Sequence, residues 1–331
     1  MSNITIQEIA KKLSENKDIL LLCHVHPDAD TLGSAFALKD VLEAAGHTVN
    51  VVCADHVPKR LQFICDMKTS LSEEECRGFK PTLTVSVDTA EPALLGRYSS
   101  KVNDGIDIKI DHHPSGSEYA KYNYIDGQSG ATGEIVYEII CELERIFASS
   151  MTRTAATKLF AAISSDTGCF KYSNVTSKTM KIAAALIDAG ADNTDVCYRL
   201  FEIKSVSEVV AERIMLNNLK IYRSGTVAVV TVTNEMKEES GITDEDLGNI
   251  SAELRRIEGI QLGIMIRQNP DIPTSYKISM RSGSMVSASS LCALFGGGGH
   301  ERAAGATVTA ENAEDAEYKV MEAVQSVIGY V

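Results

Sequence analysis

Residues 18–34 read DILLLCHVHPDADTLGS, and this stretch decides the architecture. Asp18–Cys23 carries a short continuous apolar run, the pattern of a strand buried on both faces, as in a parallel sheet. His24, Asp28 and Asp30 follow directly. Ionisable groups therefore gather at the strand's carboxyl end, where open α/β sheets place their sites. Pro27 fixes the turn, and Gly33 and Ser34 begin a helix over Thr31–Ala45 whose positive end faces any bound anion. Gly46 stops that helix, and Thr48–Cys53 is the next strand.

The same alternation continues outward. Ile4–Asn16 has amphipathic helical spacing, and Thr82–Val87 (TLTVSV) and Ile106–Ile110 (IDIKI) are further strands. Helices dominate from about 131 to 220, through ATGEIVYEIICELE, TRTAATKLFAAIS and Ser177–Gly190. A second pattern begins near Gly225: the strand TVAVVTVT, a helix over Asp244–Ile257, and strands at Gln261–Ile266 and Tyr276–Met280. A helix over Ser287–Phe295, the run Gly296–Gly299 and a last helix from Glu311 complete it. A chain of 331 residues exceeds one usual core, so two domains are expected. The expected fold class is α/β: a parallel-sheet catalytic domain over residues 1–190, a helical connector over 191–222, and a smaller α+β domain over 223–331.

Composition bounds the partners. With 32 basic and 45 acidic residues the net charge is −13, which repels long nucleic acid and anionic membrane. A protein of this charge that handles phosphate needs a local device, such as metal ions, to offset its own field. The eight cysteines form no C-x-x-C pair, which argues against a zinc ribbon and for reduced thiols in a cytoplasmic protein. Glu8, Lys11, Lys12 and Glu15 exclude a signal peptide, and no apolar run approaches the ~20 residues that span a bilayer. The apolar stripes around Glu134–Phe147 fit either a core or a homodimer face.

Four distant segments end in a carboxylate or imidazole. His24, Asp28 and Asp30 form the first, Asp88 ends TLTVSV, Asp111-His112-His113 ends IDIKI, and Asp166 lies in SSDTG. Taken alone, Asp88 or Asp166 reads as a turn or helix cap, and His26, His47 and His56 as unpartnered histidines. The six ionisable groups on two strand ends, His24, Asp28 and Asp30 with Asp111, His112 and His113, are different, because no cheap structural purpose requires them. Brought to one sheet edge, such groups repel one another unless cations compensate, and two divalent ions are the natural number. Carboxylates with imidazole suit manganese, with cobalt or magnesium as alternatives, and the lack of thiolate argues against structural zinc.

The sequence GGGGH over Gly296–His300 is the second constellation. Ordering four glycines costs backbone entropy, so the run is either a hinge or a place where main-chain N–H groups of Gly297, Gly298 and Gly299 approach phosphate. Arg281, ending the strand TSYKISM, is a well-placed guanidinium for a phosphate fork.

In this order, H-x-x-x-D-x-D, a strand-end Asp, D-H-H, a later Asp and G-G-G-G-H resemble the DHH phosphoesterase superfamily, in the subfamily with a DHH-associated C-terminal domain. The resemblance runs from Cys23 to about Gly305. It points to the stand-alone nanoRNases that double as pAp phosphatases. It implies that His24, Asp28 and Asp166 hold one cation, that Asp30 and His112 hold the other, and that Asp88 bridges them. It further implies that Asp111 orients a ligand imidazole, that His113 stabilises phosphate or the leaving oxygen, and that Arg281 and His300 grip substrate phosphate beside the glycine loop. The expected activity is hydrolysis of short oligoribonucleotides and pAp-type nucleotides by water activated between two metals. Pyrophosphate or polyphosphate hydrolysis, cyclic-dinucleotide cleavage and a non-catalytic nucleotide sensor are the competing readings. Asp88→Ala is expected to remove activity with little loss of fold.

Overall fold

The computed structural model describes residues 2–65, 78–100, 105–248 and 250–328. The chain divides into two compact units, Met1–Ile203 and Lys204–Val331. The residues expected as a connector, 191–222, fall on both sides of this division.

The first unit is built on a six-stranded sheet. Its strands are β1 (Ser2–Asn3), β2 (Asp18–Cys23), β3 (Thr48–Cys53), β4 (Leu83–Val87), β5 (Ile108–Asp111) and β6 (Tyr122–Ile125). The order is β1-β6-β5-β4-β2-β3 and every pairing is parallel. Helices α1 (Ile6–Glu15), α2 (Ala29–Ala44), α3 (Thr132–Phe147), α4 (Arg153–Asp166) and α5 (Ser177–Asp188) belong to this unit. Ile19, Leu21, Val85, Ile108 and Ile110 are fully buried, as the apolar strand runs require. Helix α1 starts where Thr5 and Glu8 form a reciprocal capping box. Helix α2 is packed closely on α4 because Gly33 has no side chain: a Cβ there would lie 2.4 Å from the Lys158 carbonyl oxygen. Strand β6 was not expected from its sequence YNYI, and neither was the two-residue β1.

The second unit carries a mixed sheet of β7 (Leu219–Tyr222), β8 (Val227–Val232), β9 (Leu262–Gln268), β10 (Ser275–Ser282), β11 (Gly298–His300) and β12 (Ala303–Thr309). The order is β11-β12-β10-β9-β8-β7, with β8 and β9 parallel and the other neighbours antiparallel. The preceding residues form α6 (Asn193–Cys197) in the first unit and α7 (Val206–Asn217) in the second. Further helices are α8 (Asn234–Ser240), α9 (Ile250–Leu254), α10 (Ala288–Ala293) and α11 (Ala313–Ile328). Tyr276, Ile278 and Met280 share a core with residues of α10 and α11, while Ala228, Val230 and Val232 share another with α7 and α9.

The helix expected over Asp244–Ile257 is a correction: among the described residues of that span, Ile250–Leu254 alone is α-helical. Gly248 has φ 48°, and Asp246 turns back to accept hydrogen bonds from Thr243, so the segment before it is a set of turns. The glycine run is an ordered sheet edge. A Cβ on Gly297 would lie 2.3 Å from the Gly305 oxygen, and Gly299 has φ 143° with the Ala303 oxygen 2.6 Å from its Cβ position. Among the described residues no helix is long and apolar enough to cross a membrane, and the cysteines are free thiols. Cys76 lies outside the described residues.

Candidate metal centre

Three adjacent strands, β5, β4 and β2, end side by side and deliver the expected residues to one place. His24 follows β2, and its Nδ1 lies 2.7 Å from the Val25 carbonyl oxygen. With the proton on Nδ1, Nε2 presents its lone pair to the cluster. That Nε2 is 3.6 Å from Asp28 Oδ1 and 3.5 Å from Asp88 Oδ2. Asp28 caps α2, accepting from the Asp30 and Thr31 amides at 3.0 and 3.1 Å. The local sequence thus uses one aspartate both to start a helix and to face the site.

Asp88 is 2% exposed and follows β4 with φ 57°. The left-handed backbone is one that Asp and Asn tolerate better than other non-glycine residues. It turns the carboxylate so that Oδ2 faces His24 while Oδ1 lies 3.8 Å from His112 Nε2. Thr132 Oγ1 donates to the same Oδ1 at 2.8 Å.

Asp30 is fully buried, and its partners are the start of α3: the Thr132 amide at 2.7 Å and the Gly133 amide at 2.8 Å. Ser34 Oγ donates to Oδ1 at 3.2 Å. Otherwise unsatisfied N–H groups of a helix terminus here hold a carboxylate. A Cβ on Gly133 would come within 2.8 Å of the Ala162 Cβ and 3.3 Å of Asp30 Oδ1, so this contact needs glycine.

His112 has its Nδ1 3.2 Å from the Ser129 carbonyl oxygen. Its Nε2 is buried with no hydrogen-bond partner, 3.3 Å from Asp166 Oδ2, 3.8 Å from Asp88 and 4.0 Å from Asp30 Oδ2. Three carboxylates around an unpartnered buried ring nitrogen form the donor set that a cation would satisfy, so the residues fit the group the fold implies. Two other sets meet equally closely, His24 with Asp28 and Asp88, and Asp88 with His112 and His113; in each set the ligand atoms lie within 4.8 Å of one another.

The resemblance implied that Asp166 shares a cation with His24 and Asp28; the structure places its Oδ2 3.3 Å from His112 Nε2, in a group with Asp30. Asp166 ends α4, which packs along α2 and α3; Asp30 lies in the first turn of α2, and its amide donors begin α3.

The electrostatics show what the cluster demands. Burial opposes charge on His24, but Asp28 and Asp88 outweigh it and push its pKa to about 11. Burial likewise opposes charge on His112, yet Asp166 and Asp88 carry it to about 9. Asp30 and Asp166 are both raised, first by burial and then by the neighbouring carboxylates, with His112 partly opposing the shift at Asp166. Asp28 is lowered: burial pushes it up, and His24 more than reverses that.

Beside this cluster runs a charged chain that sequence reading missed in part. Lys109, fully buried, lies 3.0 Å from Asp111 Oδ2 and donates to the Ala90 and Ser117 carbonyls. Asp111 Oδ1 is 2.7 Å from His113 Nδ1. The hydrogen bond to Asp111 raises the His113 pKa, and burial only partly opposes it. The His113 side chain is 43% exposed. Lys109 gave no signal, being one lysine in a strand. Thr132 and Gly133 were within sight as the small-residue start GATGE of a helix, but main-chain donors leave no mark on residue type.

In the second sheet, Arg281 pairs with Ala303, which pairs with His300 on its other side. Directly opposed residues share a face, so Arg281 and His300 flank Ala303 on one surface, about 10 Å apart across two strand spacings. Gly298 belongs to the next row, opposite Gly305 and Ser279.

Residues 18–163 match the DHH family N-terminal domain, and residues 224–327 match the DHHA1 domain. The chain is similar to a protein of Thermus thermophilus named bifunctional oligoribonuclease and PAP phosphatase NrnA, 29% identical over 309 residues, covering 93% of this chain and 89% of the relative. A Bacillus subtilis protein of the same name is 26% identical over 303 residues, covering 91% and 92%. Among solved structures, an exopolyphosphatase-related protein from Bacteroides fragilis superposes with a TM-score of 0.85 at 23% identity, over 97% of this chain and 95% of that one. The chain accordingly carries a DHH-family N-terminal domain followed by a DHHA1 domain.

Proposed function

We propose that this chain hydrolyses phosphoester bonds in short oligoribonucleotides and in pAp-type nucleotides, as the names of its relatives say of those proteins. Two divalent cations, manganese by preference, are assigned to the cluster: one to His24, Asp28 and Asp88, the other to Asp30, Asp88, His112 and Asp166. The observation that carries this is Asp88, whose two oxygens face different ligand groups, 3.5 Å from His24 and 3.8 Å from His112. Charge supports the number. Asp28, Asp30, Asp88 and Asp166 bring four negative charges, which two dications match, whereas Asp111 already faces Lys109.

Bound there, such cations would polarise a phosphoryl oxygen and make water acidic enough to attack near neutral pH. The chain's own residues do the rest. Thr132 and the α3 amides hold Asp88 and Asp30 in place, so no ligand has to reorganise as charge develops. Asp111, anchored by Lys109, accepts from His113 Nδ1 and favours the imidazolium, whose Nε2–H would donate to phosphate or to the departing oxygen. The Arg281 guanidinium, with a ring N–H of His300, supplies donors for a substrate phosphate. A net charge of −13 favours a substrate with few phosphates, since a long strand would accumulate repulsion.

The test is a time course on labelled two- to five-nucleotide RNA, pAp and pyrophosphate, with manganese or with chelator. Short RNA and pAp should be consumed, chelation should stop turnover, and added manganese should restore it. Turnover that survives exhaustive chelation would overturn the cation assignment, and consumption of pyrophosphate alone would overturn the substrate class.

A further inference from the structure

The segment after Asp166 is wound unusually. Gly168, Cys169 and Phe170 have φ of 55°, 57° and 61°, three successive left-handed residues of which two are not glycine. The turn is tied back on itself: the Lys171 and Tyr172 amides donate to the Thr167 carbonyl at 2.9 and 3.1 Å. Asn174 Nδ2 donates to the Asp166 carbonyl at 3.1 Å and to that of Gly130 at 2.9 Å. Phe170 is directed inward, its ring centroid 5.5 Å from that of Phe160. Tyr172 is directed outward and is 60% exposed.

The Tyr172 ring lies on Gly168. A Cβ built there would be 2.3 Å from Cζ and 2.5 Å from both Cε atoms. A point nearly equidistant from those three atoms lies over the face of the ring. One face of the tyrosine is therefore covered by main chain two residues from a proposed metal ligand, and the high exposure leaves the opposite face open. We infer that Tyr172 is the platform on which a nucleobase of the substrate stacks beside the metal centre. The inference takes its ligand, a short oligonucleotide, from the function proposed above.

Two considerations favour a base as the occupant. Every nucleobase offers a π-face, so stacking captures short RNA without demanding a sequence. A chain of net charge −13 gains little from long-range attraction to a polyanion, so an uncharged contact must supply part of the affinity. Removing such a platform raises KM by about 5- to 150-fold for a base-bearing substrate.

The experiment compares parent, Tyr172→Ala and Tyr172→Phe on a dinucleotide and on its analogue with one base replaced by an abasic sugar. A dinucleotide carrying 2-aminopurine supplies a fluorescence readout on mixing, before turnover. The KM ratio of abasic to base-bearing substrate should fall about 5- to 150-fold in Tyr172→Ala and be retained in Tyr172→Phe. Fluorescence quenching should be lost only in Tyr172→Ala. An unchanged ratio, or an equal loss on both substrates, would show that the ring merely caps its turn. Quenching that depends on Tyr172 without any hydrolysis by the parent would keep the platform and refute the phosphoesterase reading instead.

Discussion

Replacing Thr132 by valine removes one hydroxyl from a fully buried position and keeps the side-chain shape. The lost contact is the 2.8 Å hydrogen bond from Thr132 Oγ1 to Asp88 Oδ1. The Thr132 amide still reaches Asp30, because that donor is main chain. A hydrogen bond to a charged group contributes about 1.5–3 kcal/mol. At about 1.4 kcal/mol per tenfold, this corresponds to about 10- to 150-fold in cation affinity. Losses behind metal ligands generally run to about 10- to 100-fold, so two independent routes agree. The assay is hydrolysis of a dinucleotide across a manganese titration, with calorimetric titration of the metal-free protein beside it. Half-saturation should move upward by that factor, saturating manganese should return kcat toward the parent value, and Thr132→Ser should behave as the parent. An unmoved half-saturation would refute the role of the hydroxyl. A kcat deficit that manganese cannot repair would refute the claim that it acts through the cation.

Asp88→Asn should lower kcat at least about 1000-fold with an unchanged circular dichroism spectrum. Asparagine is the better probe than the alanine first expected, because at φ 57° alanine would add about 1–2 kcal/mol of backbone strain. Arg281→Ala should raise KM for a dinucleotide more than it lowers kcat, as steady-state kinetics will show; an equal fall in kcat and kcat/KM would place the guanidinium at the reacting phosphate instead. Glu317, 6% exposed, is opposed by burial but held below the usual glutamate value of 4.5 by Tyr222, Lys220 and Thr231. Its stabilisation is therefore complete above pH 4.5 and is lost as pH falls through the lower folded value. Thermal melts from pH 6 to 3 should show the parent losing an advantage over Glu317→Gln in the acid range, and parallel melting curves would contradict this.

The strands bearing the site were legible because ILLLC is a continuous apolar run and LTVSV alternates valine or leucine with small polar residues, both patterns of a buried strand. Strand β6 was not, since YNYI is short, carries a buried asparagine and has neither period. The helix read over Asp244–Ile257 failed at Gly248, whose left-handed φ ends the turns that its neighbours' composition would extend. For the site, which side chains meet was legible and their grouping within the cluster was not. His24, Asp28 and Asp30 are neighbours in sequence, but Asp166 joins His112 only through the packing of α4 against α2 and α3. The φ of Asp88 and the amides that hold Asp30 are equally invisible in composition, because they are properties of the main chain.

Strand β4 lies between β2 and β5, although β2 and β5 are separated in the chain by more than eighty residues. A nascent polypeptide emerging from the ribosome holds His24, Asp28 and Asp30 long before Asp88 and His112 exist, and Asp166 arrives last. A cation held by ligands from all three segments would therefore bind only after the central strands have paired.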